Sequence, residues 1–136
     1  MSKSKIRVKK VEKISKDMAI KVLSPILPQS AFYFYTDVGA PTGKAAASLE
    51  EFRNQLKTID VASIEFHMGR GDFENWVRNV LGDMELAATL ERIKMLSLSG
   101  EELRTKVYSE VKARYDVLSE ILAKKYRYDV REYEKR

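Results

Sequence analysis

The spacing of apolar residues predicts that the chain is helical over most of its length from residue 48 onward. The strongest pattern begins at a capping box formed by Ser99 and Glu102 and ends near Tyr126. Within it, apolar and aromatic side chains recur every three or four residues, which is the spacing of one buried helix face. They are Leu103, Val107, Val111, Tyr115, Leu118 and Leu122.

Residues that cap helix N-termini divide the preceding region into shorter helices. Ser48 and Glu51 form a capping box, and the helix that they open runs to about residue 57. Aspartates can accept hydrogen bonds from the free amides of a following helix, which predicts helices over 61–67, 73–81 and 84–96. The capping aspartates are Asp60, Asp72 and Asp83. A short helix over residues 17–23 is predicted to end before the prolines that follow it.

The stretch AFYFYTD, residues 31–37, has the alternating pattern of a β-strand. An extended backbone places Phe32 and Phe34 on one face and Tyr33 and Tyr35 on the other. A strand needs a partner, and the sequence predicts one in residues 1–16, where apolar residues lie among lysines. The residues from Gly39 to Gly43 are predicted to form a turn.

These elements predict a mainly α protein, a small single-domain helical bundle of about five helices with a short two-stranded β element near the N-terminus. A chain of 136 residues with 44% hydrophobic residues has enough apolar surface for one core. We divide it into a basic N-terminal arm (1–16), a helical domain (17–126) and a charged C-terminal tail (127–136).

The composition excludes several kinds of site. The chain has no cysteine and one histidine, which excludes disulfides, thiolate catalysis and sulfur-ligated metals, and we expect no metal and no cofactor. It has no apolar run long enough for a membrane span or a secretory signal, which predicts a cytoplasmic protein without a membrane partner. Charged residues make up 33% of the chain, a level that would also suit a heat-adapted protein.

Positive charge is concentrated at the two ends of the chain. Residues 1–30 contain eight Lys or Arg against two acids, residues 31–100 seven against ten, and residues 101–136 ten against eight. The basic ends predict contacts with the phosphates of RNA, DNA or a ribonucleoprotein surface. The candidate contact residues are Lys3, Lys5, Arg7, Lys9, Lys10, Lys124, Lys125, Arg127 and Arg131, with Tyr126 and Tyr128 available for stacking.

The segment EFHMGRGDFENWVRNVLGD, residues 65–83, contains the single histidine and the single tryptophan. His67 has the chemistry of a general base, with Glu65 or Asp72 as its orienting carboxylate and Arg70 as an anion clamp. A structural role for His67 is favoured over catalysis because no nucleophile motif accompanies it, and no catalytic residue is assigned. The candidates for a ligand pocket are His67, Arg70, Trp76, Tyr33 and Tyr35.

The order of the motifs FYFY, TG, SLEEF, SIEFH and GDFENWVRNVLGD resembles an uncharacterised domain-of-unknown-function family of archaea and bacteria. In that family the motif resembles a His followed, after a variable insert, by an acidic or Asn-Asp residue, Phe and a Trp-Val helix. The chain is similar to it at His67, Asp72, Phe73, Trp76 and Val77, with the short insert MGRG. The resemblance covers roughly residues 30–95 and implies a shared fold and no known activity.

Three functions stay open from the sequence. The first is a non-enzymatic basic protein whose ends contact nucleic acid or a ribonucleoprotein surface. The second is a ligand-binding or catalytic module centred on His67, Arg70 and Trp76. The third is an adaptor that presents the long C-terminal helix to a protein partner.

Overall fold

The computed structural model describes the backbone of residues 14–134 and the side chains of residues 14–124. This part of the chain forms six α-helices and a two-stranded antiparallel sheet, so the mainly helical class predicted from the sequence is confirmed. The helices are α1 (Lys16–Leu23), α2 (Leu49–Thr58), α3 (Val61–Arg70), α4 (Asp72–Trp76), α5 (Met84–Lys94) and α6 (Gly100–Glu134). The strands are β1 (Phe32–Asp37) and β2 (Ala40–Ala46).

Three of the predicted caps start their helices as expected. Ser48 Oγ accepts the amide of Glu51 at 3.1 Å, and the Glu51 carboxylate accepts the amide of Ala47 at 2.8 Å. Asp60 and Asp83 accept amides two and three residues later, at 2.9 and 3.1 Å. These bonds satisfy amides in the first turns of α2, α3 and α5 that have no partner inside the helix.

The predicted cap at Asp72 is wrong. Gly71 adopts a left-handed conformation, with φ of 75°, and its amide bonds back to the carbonyls of His67 and Met68. Helix α4 begins at the residue that follows Gly71, which is Asp72. Asp72 therefore has a helical backbone, whereas an N-cap residue usually has an extended one. Its carboxylate is therefore available to a side chain of α3. The predicted helix over 73–81 continues after Trp76 as a π-helical turn, Val77–Leu81.

The partner of β1 among the described residues is β2, across a turn at Val38 and Gly39, so the predicted turn from Gly39 to Gly43 is wrong: residues 40–43 belong to a strand. Residues 1–13 of the predicted arm lie outside the described residues. The sequence gives a weak signal for β2, since its APTGKAA segment contains Pro41 and Gly43 and has few β-branched residues. The register is irregular on either side of Tyr35, which stands opposite Pro41.

The core lies between the inner face of the sheet and the helices. Phe32 and Phe34 of β1 are buried there, as the alternation predicts, against Phe52 of α2 and Phe73 of α4. Helix α6 packs along α1, α2, α3 and α5. It continues to Glu134, beyond the predicted end near Tyr126. None of the described helices combines the length and the apolar composition that a bilayer span needs.

Candidate ligand-binding site

A cleft of about 450 Å³ opens between β1 with its following turn and the adjacent ends of α3 and α4. All five residues that the sequence singled out as pocket candidates line it. They come from three elements: Tyr33 and Tyr35 from β1, His67 and Arg70 from α3, and Trp76 from α4. The walls also include Asp37, Phe66 and Asp72.

Strand β1 contributes the two tyrosines because its alternation sends their side chains away from the core. Tyr33 is 50% exposed, and its hydroxyl donates to the carbonyl oxygen of Pro28 at 2.6 Å. Tyr35 is half-buried, and its hydroxyl has no hydrogen-bond partner among the described residues. The Tyr35 hydroxyl is therefore available as a donor or an acceptor at the cleft wall.

His67 joins the two sides of the cleft through both of its ring nitrogens. Nε2 accepts the backbone amide of Tyr35 at 2.8 Å, and Nδ1 lies 2.8 Å from the Asp72 carboxylate. An amide can only donate and a carboxylate can only accept, so these partners fix the neutral tautomer with the proton on Nδ1. Among the described strands, β1 pairs only with β2, and His67 supplies an acceptor for an amide on the other edge of β1.

This geometry decides which chemistry His67 can perform. Burial lowers the pKa of His67 below its ordinary value of 6.5, although the hydrogen bond to Asp72 partly opposes that shift. Asp72 is the orienting carboxylate, whereas Glu65 instead accepts the amide of Gly100 at the start of α6. Because the Nε2 lone pair accepts a hydrogen bond from the backbone, His67 has no free lone pair for proton abstraction.

We predict that His67 makes stability depend on pH between neutrality and mild acid. The unfolded chain holds the His67 proton more tightly than the folded one, so folding stability falls as the proton binds. The contribution of neutral His67 to the stability of the fold is complete above the pKa of His67 in the unfolded chain, about 6.5. It is lost as the pH falls through the lower pKa of the folded state. In protonated His67 both nitrogens donate, and Nε2 can no longer accept the Tyr35 amide.

The measurement is urea denaturation at several pH values, on the wild type and on His67→Gln. We expect the substitution to cost about 1 to 3 kcal/mol at pH 7.5, the range for leaving a buried polar group without its partner. The wild type should lose more stability than the variant between pH 7 and 5, because this is the only histidine in the chain. Equal losses in the two proteins would contradict the assignment.

Arg70 lies on the wall of the cleft with a carboxylate and an aromatic ring as its partners. Its Nε is 3.3 Å from Asp72 Oδ2, and its guanidinium carbon lies 4.8 Å from the centre of the Phe66 ring. The side chain is still 53% exposed. The guanidinium that the sequence suggested as an anion clamp is therefore already paired with an anion, the Asp72 carboxylate.

Trp76 is the most deeply buried of the five candidates after His67, and it lines the cleft. Only 7% of its surface is exposed, and its indole N–H donates to the carbonyl oxygen of Ser30 at 2.9 Å. The ring packs against Phe32 and Phe52, with centroids 5.6 and 5.2 Å away. Burial of Trp76, which the spacing of its helix predicts, is confirmed.

The whole of this site falls within a match to one protein family. The sequence profile of DUF5752, described as a family of unknown function, matches residues 3–112. The chain belongs to DUF5752. The predicted membership of an uncharacterised domain family is thus confirmed. No curated protein and no solved structure matches the chain.

The DUF5752 match includes further cleft residues that the sequence did not single out as pocket candidates, among them Phe66 and Asp37. The sequence could have indicated Phe66, because Phe66 and Arg70 are four residues apart and therefore neighbours on one helix face. The sequence could not have indicated Asp37, because its position at the cleft depends on the turn between β1 and β2. Its carboxylate accepts the amide of Val38 at 2.7 Å.

The proposed nucleic-acid contacts lie mostly outside the part of this DUF5752 protein whose side chains are described. Lys124 is exposed on α6. Lys125, Arg127 and Arg131 belong to the backbone of the same helix, with side chains beyond the described ones. The other five candidates, Lys3, Lys5, Arg7, Lys9 and Lys10, lie outside the described residues. In the described part, no group of three acids or histidines is arranged to hold a metal ion.

Proposed function

We propose that the protein is a small-molecule binding module and that the cleft between β1 and the ends of α3 and α4 is its ligand site. The observation that carries this proposal is that all five residues predicted as pocket candidates line one cleft, although they come from three different elements. The volume of about 450 Å³ falls within the usual range for ligand pockets. Aromatic walls with a few polar groups are typical of such pockets.

The hydrogen bonds of His67 favour binding over catalysis. A general base needs a lone pair within reach of a substrate proton, and the Nε2 lone pair of His67 is engaged by the Tyr35 amide. The same bond favours a preformed site, since it holds β1 against α3 on the two sides of the cleft. A preformed site loses less entropy when a ligand binds.

The proposal is tested by a thermal-denaturation screen of small metabolites on the wild type and on Ala31→Phe. Ala31 lines the cleft, so a phenyl group there takes up part of its volume. A ligand at about 100 times its Kd adds about 2.7 kcal/mol to the stability of the protein that binds it. Stabilisation in the wild type and not in Ala31→Phe supports the proposal.

Ala123→Phe is the matched control, because Ala123 is exposed on α6 and does not line the cleft. It should respond to ligands like the wild type. Circular dichroism of all three proteins establishes that they are folded. Equal stabilisation of Ala31→Phe, or no stabilisation of the wild type by any compound, would count against the cleft.

A second candidate function, contact with nucleic acid, is favoured by the distribution of charge. Residues 14–124 contain fourteen Lys or Arg and sixteen Asp or Glu. The formal net charge of +5 therefore arises entirely from residues 1–13 and 125–136. Basic terminal segments on an acidic folded body suit sequence-independent binding to phosphates.

This second proposal predicts an affinity for nucleic acid that depends strongly on salt. If about five phosphates are neutralised, log K should fall against log salt with a slope near −0.9 per phosphate on duplex DNA, or about −0.7 on single strands. Deleting residues 2–13 removes six Lys or Arg and one Glu, so it should flatten the slope. Fluorescence anisotropy on both proteins measures this, and an unchanged slope would exclude a role for the arm.

A further inference from the structure

Negative charge prevails on the wall of the cleft. Asp37 and Asp72 each contribute a carboxylate, whereas Arg70 is the one basic side chain in the lining. His67 adds no charge in the tautomer that its two hydrogen bonds require. A phosphate or carboxylate ligand would meet two carboxylates and a single guanidinium, which is already paired with one of them.

The position of Arg70 indicates what kind of group the cleft accommodates. Its guanidinium is a planar cation held between the face of Phe66, at 4.8 Å, and the Asp72 carboxylate, at 3.3 Å. An aromatic face and a carboxylate are the usual partners of a bound ammonium or amidinium group. With 53% of its side chain exposed, Arg70 can leave this position without a change in the core.

We infer that the cleft, if it has the binding function proposed above, takes a small organic cation, and that Arg70 competes with this cation for Asp72 and Phe66. The class is an ammonium or amidinium ion attached to an apolar body. The apolar body would contact Tyr33, Tyr35 and the edge of Trp76.

Acceptors for such a cation are present on both sides of the cleft. Asp72 contacts His67 Nδ1, at 2.8 Å, and Arg70 Nε, at 3.3 Å, through Oδ2 alone, so Oδ1 has no partner among the described residues. On the opposite side, Asp37 uses Oδ1 for the Val38 amide and leaves Oδ2 to accept. The Tyr35 hydroxyl provides a third acceptor.

The test compares three probes of similar size and different charge: phenethylammonium, 2-phenylethanol and 3-phenylpropionate. Calorimetric titration of the full chain should give the tightest binding for the ammonium ion, by about threefold to tenfold over the alcohol, and the weakest for the carboxylate. Nα-acetyl-lysinamide presents the same ammonium group as a protein side chain. Tighter binding of that fourth probe would assign the cation to a protein partner and overturn the small-molecule source.

Arg70→Gln separates the competitor from the anion clamp. If Arg70 competes, its removal raises the affinity for phenethylammonium by about threefold to tenfold, because the ligand gains the carboxylate and the ring face. If Arg70 is an anion clamp, its removal lowers the affinity for 3-phenylpropionate by more than it raises the affinity for phenethylammonium. Arg92→Gln, an exposed change on α5 with the same loss of charge, should alter neither affinity.

The outcomes separate this inference from the proposed function. Preference for the ammonium probe, strengthened by Arg70→Gln, supports a cation site. Preference for the carboxylate overturns the cation and leaves the cleft as a ligand site. If none of the probes binds, the inference fails, and the metabolite screen with Ala31→Phe decides the proposed function independently.

Discussion

Replacing Asp83 with alanine is expected to destabilise the protein by about 3 to 5 kcal/mol, the range for removing one member of a buried ion pair. Asp83 is fully buried, and its two oxygens lie 2.7 and 2.9 Å from Nε and Nη2 of Arg114. It also accepts the amide of Leu86 at the start of α5. Arg114, only 10% exposed, would be left without its main anionic partner.

Glu85→Gln is the matched control for Asp83→Ala. Glu85 contacts the same arginine, at 3.4 Å from Nη1, but 54% of its side chain is exposed. Its substitution should cost no more than about 0.5 kcal/mol, as expected for a solvated pair. Urea denaturation followed by circular dichroism compares the variants, and equal losses would contradict the importance that we assign to burial.

Replacing Trp76 with alanine is expected to cost about 3 to 5 kcal/mol, the range for removing a large buried aromatic side chain. The indole packs against Phe32 and Phe52 and lines the cleft. Alanine would leave a cavity among rings that α2, α4 and β1 hold in place. The loss is measured by urea denaturation with circular dichroism, since the variant contains no tryptophan.

Trp76→Phe separates the packing of the ring from the hydrogen bond of the indole. Phenylalanine keeps most of the apolar contact but cannot donate to the Ser30 carbonyl oxygen, which should cost about 1 kcal/mol. A cost of Trp76→Ala that does not exceed that of Trp76→Phe would mean that the packing contributes little. In the wild type, burial also predicts a native fluorescence maximum at a shorter wavelength than in the unfolded chain.

Local patterns in the sequence predicted most of the helices and the buried side of β1. Caps such as Ser48 and Asp60 act within four residues of their partners, and the helix that contains Trp76 has its apolar face marked by spacing. For the same reason Phe32 and Phe34 could be assigned to the core from alternation alone. These features depend on neighbours along the chain, which a single sequence displays directly.

The individual hydrogen bonds and ion pairs between distant segments could not be predicted. The bond from the Tyr35 amide to His67 spans 32 residues, and the pair of Asp83 with Arg114 spans 31. The sequence allowed two roles for Asp72, a helix cap and the orienting carboxylate of His67, and only the second is found in the structure. Asp72 could cap α4 only if its own backbone were extended. The left-handed Gly71 instead joins the two helices directly, so that α4 begins at Asp72 itself.

The most direct test of the central proposal is a set of ¹H–¹⁵N correlation spectra recorded during a screen of small-molecule fragments. The single indole N–H, from Trp76, and the Tyr35 amide report on the two sides of the cleft. Our account predicts that compounds that bind shift both signals in the wild type and neither in Ala31→Phe. The contradictory result is that no compound shifts either cleft signal. Amide signals on α6 around the exposed Val117 would then shift when a protein partner is added, or signals at the basic ends would shift when nucleic acid is added.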